Sequence, residues 1–344
     1  MSKEFSRRVI PRDLLAGSAV SIRHLVQYSF LALNVWIGVQ FYLWVRYHET
    51  GGQTLAVDRP PGVEGWLPIA SLMNWKYWFA TGEFPGVHPA GMFLLAAFVL
   101  SSLLLRKAFC GWLCPVGTVS EFLWKFGRST FKRVWHLPKW ADLPLRSLKY
   151  ILMAFFLYAA GAMSATAIRA FLDGPYGIVA DVKMLNFFRY LSVTGAVVVG
   201  SFLVLSIFIP NFWCRYLCPY GALMGLFSWA SPLRITRNAS TCIDCAKCAR
   251  ACPADLAVDK LIQIQSPECL GCFECVDVCP VESTLDMTLP GKRPVKAWTV
   301  AAGAAAIFLG FVTFAQTTGH WHTRVPDSVY RLLVPQANEL DHPR

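Results

Sequence analysis

Twelve cysteines carry the recognisable chemistry of this chain. Eight form two runs of one spelling, Cys242-x2-Cys245-x2-Cys248-x3-Cys252-Pro253 and Cys269-x2-Cys272-x2-Cys275-x3-Cys279-Pro280. Two-residue gaps let a tight loop present three thiolates to a cubane cluster while backbone amides hydrogen-bond its sulfides. In a doubled run the fourth thiolate comes from the other copy. The spacing predicts one [4Fe–4S] cluster on Cys242, Cys245, Cys248 and Cys279, and a second on Cys269, Cys272, Cys275 and Cys252. Zinc knuckles offer pairs of cysteines rather than triplets followed by Cys-Pro, so zinc fits the pattern poorly.

The other four cysteines form two pairs, in Arg106-Lys107-Ala-Phe-Cys110-Gly-Trp-Leu-Cys114-Pro115-Val-Gly117 and in Asn211-Phe-Trp-Cys214-Arg-Tyr-Leu-Cys218-Pro219-Tyr-Gly221. A three-residue gap sets both sulfurs of a pair on one helix face. Each pair follows two apolar segments, so the chain reads as an internal repeat that brings Cys110, Cys114, Cys214 and Cys218 to one depth. A third metal centre or cluster, a thiol/disulfide redox pair, and plain buried packing are the candidate roles. Four ligands in two repeated pairs favour a metal or redox site, of unspecified metal.

These cysteines need a frame, and composition says which. The chain has 344 residues, 55% of them hydrophobic and 15% charged, more apolar than a soluble core requires. Five runs approach the length of a membrane-crossing helix, residues 26–45, 89–105, 150–168, 190–209 and 297–315. The expected fold is an α-helical integral membrane protein of about five transmembrane helices with a two-fold internal repeat. Its expected parts are a basic N-terminus (1–25), a membrane domain of four helices with both Cys-x3-Cys-Pro repeats (26–230), an inserted two-cluster unit (231–290), and a fifth helix with a short tail (291–344).

A net charge of +11 does not signal nucleic acid here. With the N-terminus inside, 23 of the 32 Lys and Arg fall in inner segments, the asymmetry of the positive-inside rule. That puts all twelve cysteines on the cytoplasmic side, where thiols stay reduced and structural disulfides are not expected. Ser6-Arg7-Arg8 resembles an export signal only faintly, because Pro11-Arg12-Asp13 and Arg23 are too polar for one. The first span is expected to be an uncleaved anchor.

Weaker signals lie between the spans. Residues 64–79, rich in Trp and Tyr, read as an interfacial aromatic belt or as a quinone pocket. Asp173-Gly-Pro-Tyr-Gly177 reads as a turn, Asp181 with Lys183 as a solvated pair, and Glu121 as helix surface. Residues 316–344 are expected outside, too short for a core of their own, with His320-Trp321-His322 read as interfacial in preference to metal-ligating.

Two Cys-x3-Cys-Pro motifs at helix ends followed by a two-cluster unit resemble the polyferredoxin membrane family that includes the NapH-type, NosR and CcoG proteins. Trp44-Val-Arg-Tyr-His-Glu-Thr50, Gly65-Trp-Leu-Pro-Ile-Ala70, Asp181-Val-Lys-Met-Leu185, Cys214-Arg-Tyr-Leu-Cys-Pro-Tyr-Gly-Ala-Leu-Met224 and Pro335-Gln-Ala337 are similar to the YccM-type electron-transport proteins of that family. The resemblance covers nearly the whole chain. It implies electron transport in the bacterial inner membrane and carries the eight ferredoxin cysteines over as cluster ligands; with the charge asymmetry, the expectation is a multi-pass protein embedded in the lipid bilayer, with cytoplasmic N-terminus and ferredoxin unit and a periplasmic C-terminus. The resemblance itself supplies no substrate; the expected role is electron transfer between a quinol/quinone pool or cytoplasmic donor and a redox partner, a periplasmic cytochrome or reductase, making the chain a candidate quinol dehydrogenase subunit. The rival readings are a copper reductase that holds its metal on the paired thiols, and a non-enzymatic assembly or anchoring subunit.

Overall fold

The computed structural model describes residues 18–132, 135, 137–291 and 293–343. Ser6-Arg7-Arg8, the rest of the basic tail up to residue 17, and Lys292 lie outside them. Three described helices are long and apolar enough to cross a membrane, Ala19–Glu49, Lys139–Ala162 and Ala297–Thr317. Ala180–Arg189 and Val193–Phe208 make a fourth if counted as one span, bent by 83° at its break. Pro89–Leu104 is a shorter apolar helix of 16 residues. The chain is a helical membrane protein with three or four candidate spans.

One expected span is displaced. The run at 150–168 is not one helix: its helix starts at Lys139 and ends at Ala162. Ser164 then takes an extended backbone and caps a new helix, Ala165–Leu172, by accepting the Ala167 amide at 3.1 Å. A serine in an apolar run thus acted as a helix start rather than as a tolerated interior residue.

The chain divides into two compact units. One comprises described residues of Met1–Leu31, Val99–Tyr150 and Phe202–Ala306. It contains an antiparallel sheet of β1 (Arg234–Arg237), β2 (Leu285–Leu289) and β3 (Arg293–Pro294), in the order β1-β2-β3. Ile235 faces Met287 across the first pair. Both are buried, with Ile264 and Leu285, so apolar alternation turns one face of a small sheet toward the cysteine-bearing loops.

The second unit comprises described residues of Ala32–Phe98, Ile151–Ser201 and Ile307–Arg344. Its main core joins Phe41, Trp44 and Val45 of the first long helix to Val63, Val179 and Val182, and to Tyr330, Leu333 and Val334 of the C-terminal segment. A smaller core packs Met73 and Tyr77 of the helix Pro68–Thr81 against Ala160, Ile168 and Leu172. Residues 316–343 therefore do not stand alone, as their length suggested, but complete a core shared with two other connecting segments.

Asp181 and Lys183 are likewise no solvated pair. Asp181 is fully buried and bonds the Arg59 guanidinium at 2.6 Å, and Arg59 also holds buried Glu64 at 2.8 Å. Glu64 in turn accepts the Gly91 amide at the start of Pro89–Leu104, where the helix dipole favours a carboxylate. Lys183 donates instead to the Ala337 and Leu340 carbonyls, both at 2.7 Å, and so ties down the C-terminal segment. The first residue of the supposed aromatic belt, Glu64, is thus a structural anion, and buried Ser71, Met73, Asn74 and Tyr77 make that segment a packed helix.

Candidate iron–sulfur site

Both Cys-x3-Cys-Pro-x-Gly loops close on the same bond. The Cys114 amide reaches the Phe109 carbonyl at 2.8 Å, and the Cys218 amide reaches that of Trp213 at 3.0 Å, five residues back in each case. Cys114 and Cys218 are extended N-cap residues, each followed by proline at the first position of a helix, Pro115–Phe131 and Pro219–Trp229. Proline suits that position because its missing N–H would be unpaired anyway. The thiol then takes the amides that a helix start leaves free: Gly221 N–H donates to Cys218 Sγ at 3.2 Å.

The four thiols of these loops share one environment. Burial pushes all of them up, Cys110 to about 12 and Cys114 to about 11, with Cys214 raised well above its ordinary value and Cys218 raised as well. Mutual repulsion adds to the rise at Cys110, Cys114 and Cys214, while the Lys107 ammonium opposes it at Cys110, Cys214 and Cys218. Such thiols stay protonated until a metal displaces the proton.

Their spread speaks to the size of that metal group. Among the described residues, only His24, Glu121 and Glu274 bring three metal-ligating atoms within 4.8 Å of one another. Sulfurs bound to one tetrahedral ion at ~2.3 Å would lie roughly 3.8 Å apart. The quartet is spread wider than that, as are the eight ferredoxin thiols, so its donor set fits a multi-iron cluster better than a single ion. The His24, Glu121 and Glu274 group is already filled, because the Lys125 ammonium sits 2.6 Å from each carboxylate and 3.1 Å from the imidazole.

The ferredoxin cysteines line two cavities. Cys269, Cys272, Cys275 and Cys252 line one, among Ile264 and Phe273. Cys242, Cys245, Cys248 and Cys279 line the other, with Arg237 and Asp259. In each, three thiols come from one run and the fourth from the other. Left-handed Asp244, Ala246, Gly271 and Phe273 give the loops their tight curl. Burial pushes Cys252 up to about 11 and Cys272 and Cys275 higher, with Arg23 pulling Cys272 the other way.

The second ferredoxin loop lies directly on the first Cys-x3-Cys-Pro loop. A Cβ at Gly111 would meet the Leu270 carbonyl oxygen at 2.4 Å, so no larger residue fits between the two backbones. The fully buried Trp112 donates its indole N–H to the Gly271 carbonyl at 3.1 Å. Arg106 is buried on the carbonyls of Ser228, Ile264 and Ser266, and Lys107 donates to that of Pro267 at 3.2 Å. Lys149 pairs with Glu268 at 2.5 Å, and Tyr150 donates to the same carboxylate at 2.8 Å. Burial would raise Glu268, but Lys107 and Lys149 hold it down at about 2.

Glu121 belongs to this assembly and not to a helix surface. Its carboxylate takes two bonds of 2.6 Å from Arg23, which also bonds Glu274 at 2.8 Å and is 1% exposed. Gln27 bridges Glu121 and the Gly111 carbonyl, both at 3.1 Å. Ser18 and the Val20 amide bind Asp277, so the start of the first long helix grips the ferredoxin helix Glu274–Asp277. Arg23 and Glu121 carry no motif, and only the unusual presence of charge beside an apolar run marks them in the sequence. In the other unit, the His320 ring lies tilted against Phe84 at 4.0 Å and Trp321 is buried; among the described residues neither His320 nor His322 belongs to a close group of three metal-ligating side chains.

Comparison with known proteins agrees with this chemistry. The family described as a 4Fe-4S binding domain matches the chain twice, over residues 87–134 and 191–238, and the 4Fe-4S dicluster domain matches residues 234–280. The YccM protein of Escherichia coli K12, whose name assigns it provisionally to electron transport, is 48% identical over 94% of this chain and 93% of its own. The ferredoxin-type protein NapH of the same organism is 25% identical over 67% of this chain and 74% of its own. The regulatory protein NosR of Pseudomonas aeruginosa is 30% identical over 47% of this chain and 22% of its own. No solved structure matches the chain.

Proposed function

Because the chain belongs to the YccM family of polyferredoxin membrane proteins, we propose that it passes electrons between a quinol/quinone pool or cytoplasmic donor and a redox partner protein, in the bacterial inner membrane. Cys242, Cys245, Cys248 and Cys279 hold one [4Fe–4S] cluster, and Cys269, Cys272, Cys275 and Cys252 hold the other. Cys110, Cys114, Cys214 and Cys218 hold a third centre. When bound, these groups supply one-electron chemistry; the protein fixes their spacing and tunes their potentials.

The observation that carries the reading is the contact of Leu270 with Gly111. It sets the loop of Cys269 and Cys272 against the loop of Cys110 and Cys114, so two thiol groups of different origin share one wall. Two matches to one 4Fe-4S model over the paired-cysteine regions support both the third centre and the internal repeat. The wide spread of the quartet speaks against a copper ion gripped by three or four of these sulfurs. The excess of Lys and Arg on one side of the spans supports a cytoplasmic N-terminus and ferredoxin unit, five crossings, and a periplasmic C-terminus.

Anaerobic purification in detergent, iron analysis and EPR during a redox titration test this reading. Wild-type protein is expected to show two ferredoxin-type signals plus a third feature, with the third alone missing in Cys110→Ser and Cys214→Ser. Iron content unchanged by both substitutions would remove the third centre, and clusters that no quinol reduces and no quinone oxidises would remove the quinone pool as a partner.

A further inference from the structure

The buried charges around the three thiol groups are unequal. The cavity of Cys252, Cys269, Cys272 and Cys275 has no charged residue in its lining, with Arg23 and Glu274 acting on Cys272 in opposite directions from outside it, and that of Cys242, Cys245, Cys248 and Cys279 has one of each sign, Arg237 and Asp259. Two buried cations, Lys107 and Lys149, act on the quartet thiols, and Arg106, the chain neighbour of Lys107, is buried on the carbonyls of Ser228, Ile264 and Ser266; each is no more than 2% exposed. Glu268 is the one carboxylate that acts on Lys107 and Lys149 among the described residues, in direct contact with Lys149 and at longer range with Lys107. Arg106 and Lys107 bond backbone carbonyls, and among the described residues neither has an ion pair. A Cβ at Gly225 would come within 3.4 Å of Lys107 Nζ, so that ammonium lies against the helix led by Cys218, while its own backbone sits three residues before Cys110.

We propose that Lys107, with Lys149, is a tuning residue that makes the Cys110, Cys114, Cys214 and Cys218 centre the accepting end of the chain, so that electrons run from the ferredoxin unit to the quartet. The inference rests on the third centre proposed above. An added electron is an added negative charge, and fixed cations in a poorly solvated site favour it. The transfer balances as one electron leaving a reduced ferredoxin cluster and one entering the quartet centre, with no bond made and no proton moved. The reductant that reloads the ferredoxin unit is a low-potential one-electron donor of the cytoplasm.

The test is an EPR-monitored potentiometric titration of the full chain in detergent, with the quartet signal identified as the one lost in Cys214→Ser. In wild type that signal is expected at the highest of three midpoints. Lys107→Gln, which keeps a donor for the Pro267 carbonyl, should lower that midpoint and leave the other two in place, and Lys107→Arg should restore it. Glu268→Gln, which removes the opposing charge, should raise it. A quartet midpoint below both ferredoxin clusters overturns the inference while sparing the third centre, as does a Lys107→Gln shift shared equally by all three signals. Iron content and spectra indifferent to Cys214→Ser overturn the third centre and the inference with it. Should Lys107→Gln fail to accumulate, the wild-type order of midpoints and the Glu268→Gln shift still decide the matter.

Discussion

At Gly117 of the first Cys-x3-Cys-Pro-x-Gly loop a Cβ would lie 2.6 Å from the Cys110 carbonyl oxygen, whereas at Gly221 of the second the matching distance is 3.5 Å. The loops close on equivalent bonds, yet the first is wound more tightly. Their next residues explain why. Gly111 and Trp112 press on the ferredoxin loop at Leu270 and Gly271, while Arg215 and Tyr216, at the same positions, turn to Asp142 of the helix Lys139–Ala162. One repeated frame thus serves two tasks. The first copy presses its loop on the ferredoxin unit, and the second is moored chiefly to the helical scaffold, reaching the ferredoxin unit through Arg215 to Asp255 at 3.7 Å and through Gly225 beside the Pro267 carbonyl.

The comparison can be broken at its tightest point first. Gly111→Ala drives a methyl into a backbone oxygen that cannot swing away, and should cost more than roughly 4 kcal/mol, with loss of iron from the quartet and from the neighbouring cluster. Gly117→Ala should also strip the quartet. Gly221→Ala, in ordinary van der Waals contact, should keep it; equal iron loss in the two would show the loops to be interchangeable.

Next in size, Asp142→Ala leaves Arg215 and the Tyr216 hydroxyl without their shared acceptor, at a cost of about 3–5 kcal/mol for a broken buried pair. Thermal unfolding in detergent should report it. The ferredoxin EPR signals should persist at temperatures where the variant is folded, because the mooring belongs to the second loop.

A smaller effect tests the grip of the first loop through pH. Burial would raise the Glu121 carboxyl, but Arg23 and His24 hold it well below its ordinary range. A depressed folded value gives stability that is fully present above the unfolded carboxylate range and lost as pH falls through the folded value. Wild type should therefore exceed Glu121→Gln by a constant margin from pH 8 to about 5, and the margin should shrink below that. A margin that grew in acid would reverse the assignment. Smallest of all, Thr118 occupies the place that Ala222 fills in the second loop and adds only a hydroxyl bond to the Cys114 carbonyl at 3.2 Å. Thr118→Ala should change stability by about 0.5 kcal/mol or less.

What the sequence made legible was local. Cysteine spacing gave the iron–sulfur chemistry, and apolar runs gave the long helices, because both are written in consecutive residues. Arg59 with Asp181, Arg23 with Glu121 and Glu274, and Tyr330 with Trp44 are joined across gaps that no periodicity spans. Buried ion pairs therefore read as surface charge, and the partners of a tail too short for its own core stayed hidden. The end of the third span was missed for a related reason, since hydropathy sees Ser164 as a mild interruption while backbone capping makes it a boundary.

The burial of Arg106 and Lys107 also has a timetable. Their partners at Ser266 and Pro267 lie 160 residues later in the chain. At common synthesis rates of about 5–20 residues per second, those carbonyls emerge roughly 8–30 s after the two cations. During that interval Arg106 and Lys107 follow the short apolar helix Pro89–Leu104 without the carbonyls that later receive them. Only later does the arriving loop of Ser266 and Pro267 cover them, so the floor beneath that loop waits unfinished until the last third of the chain is made.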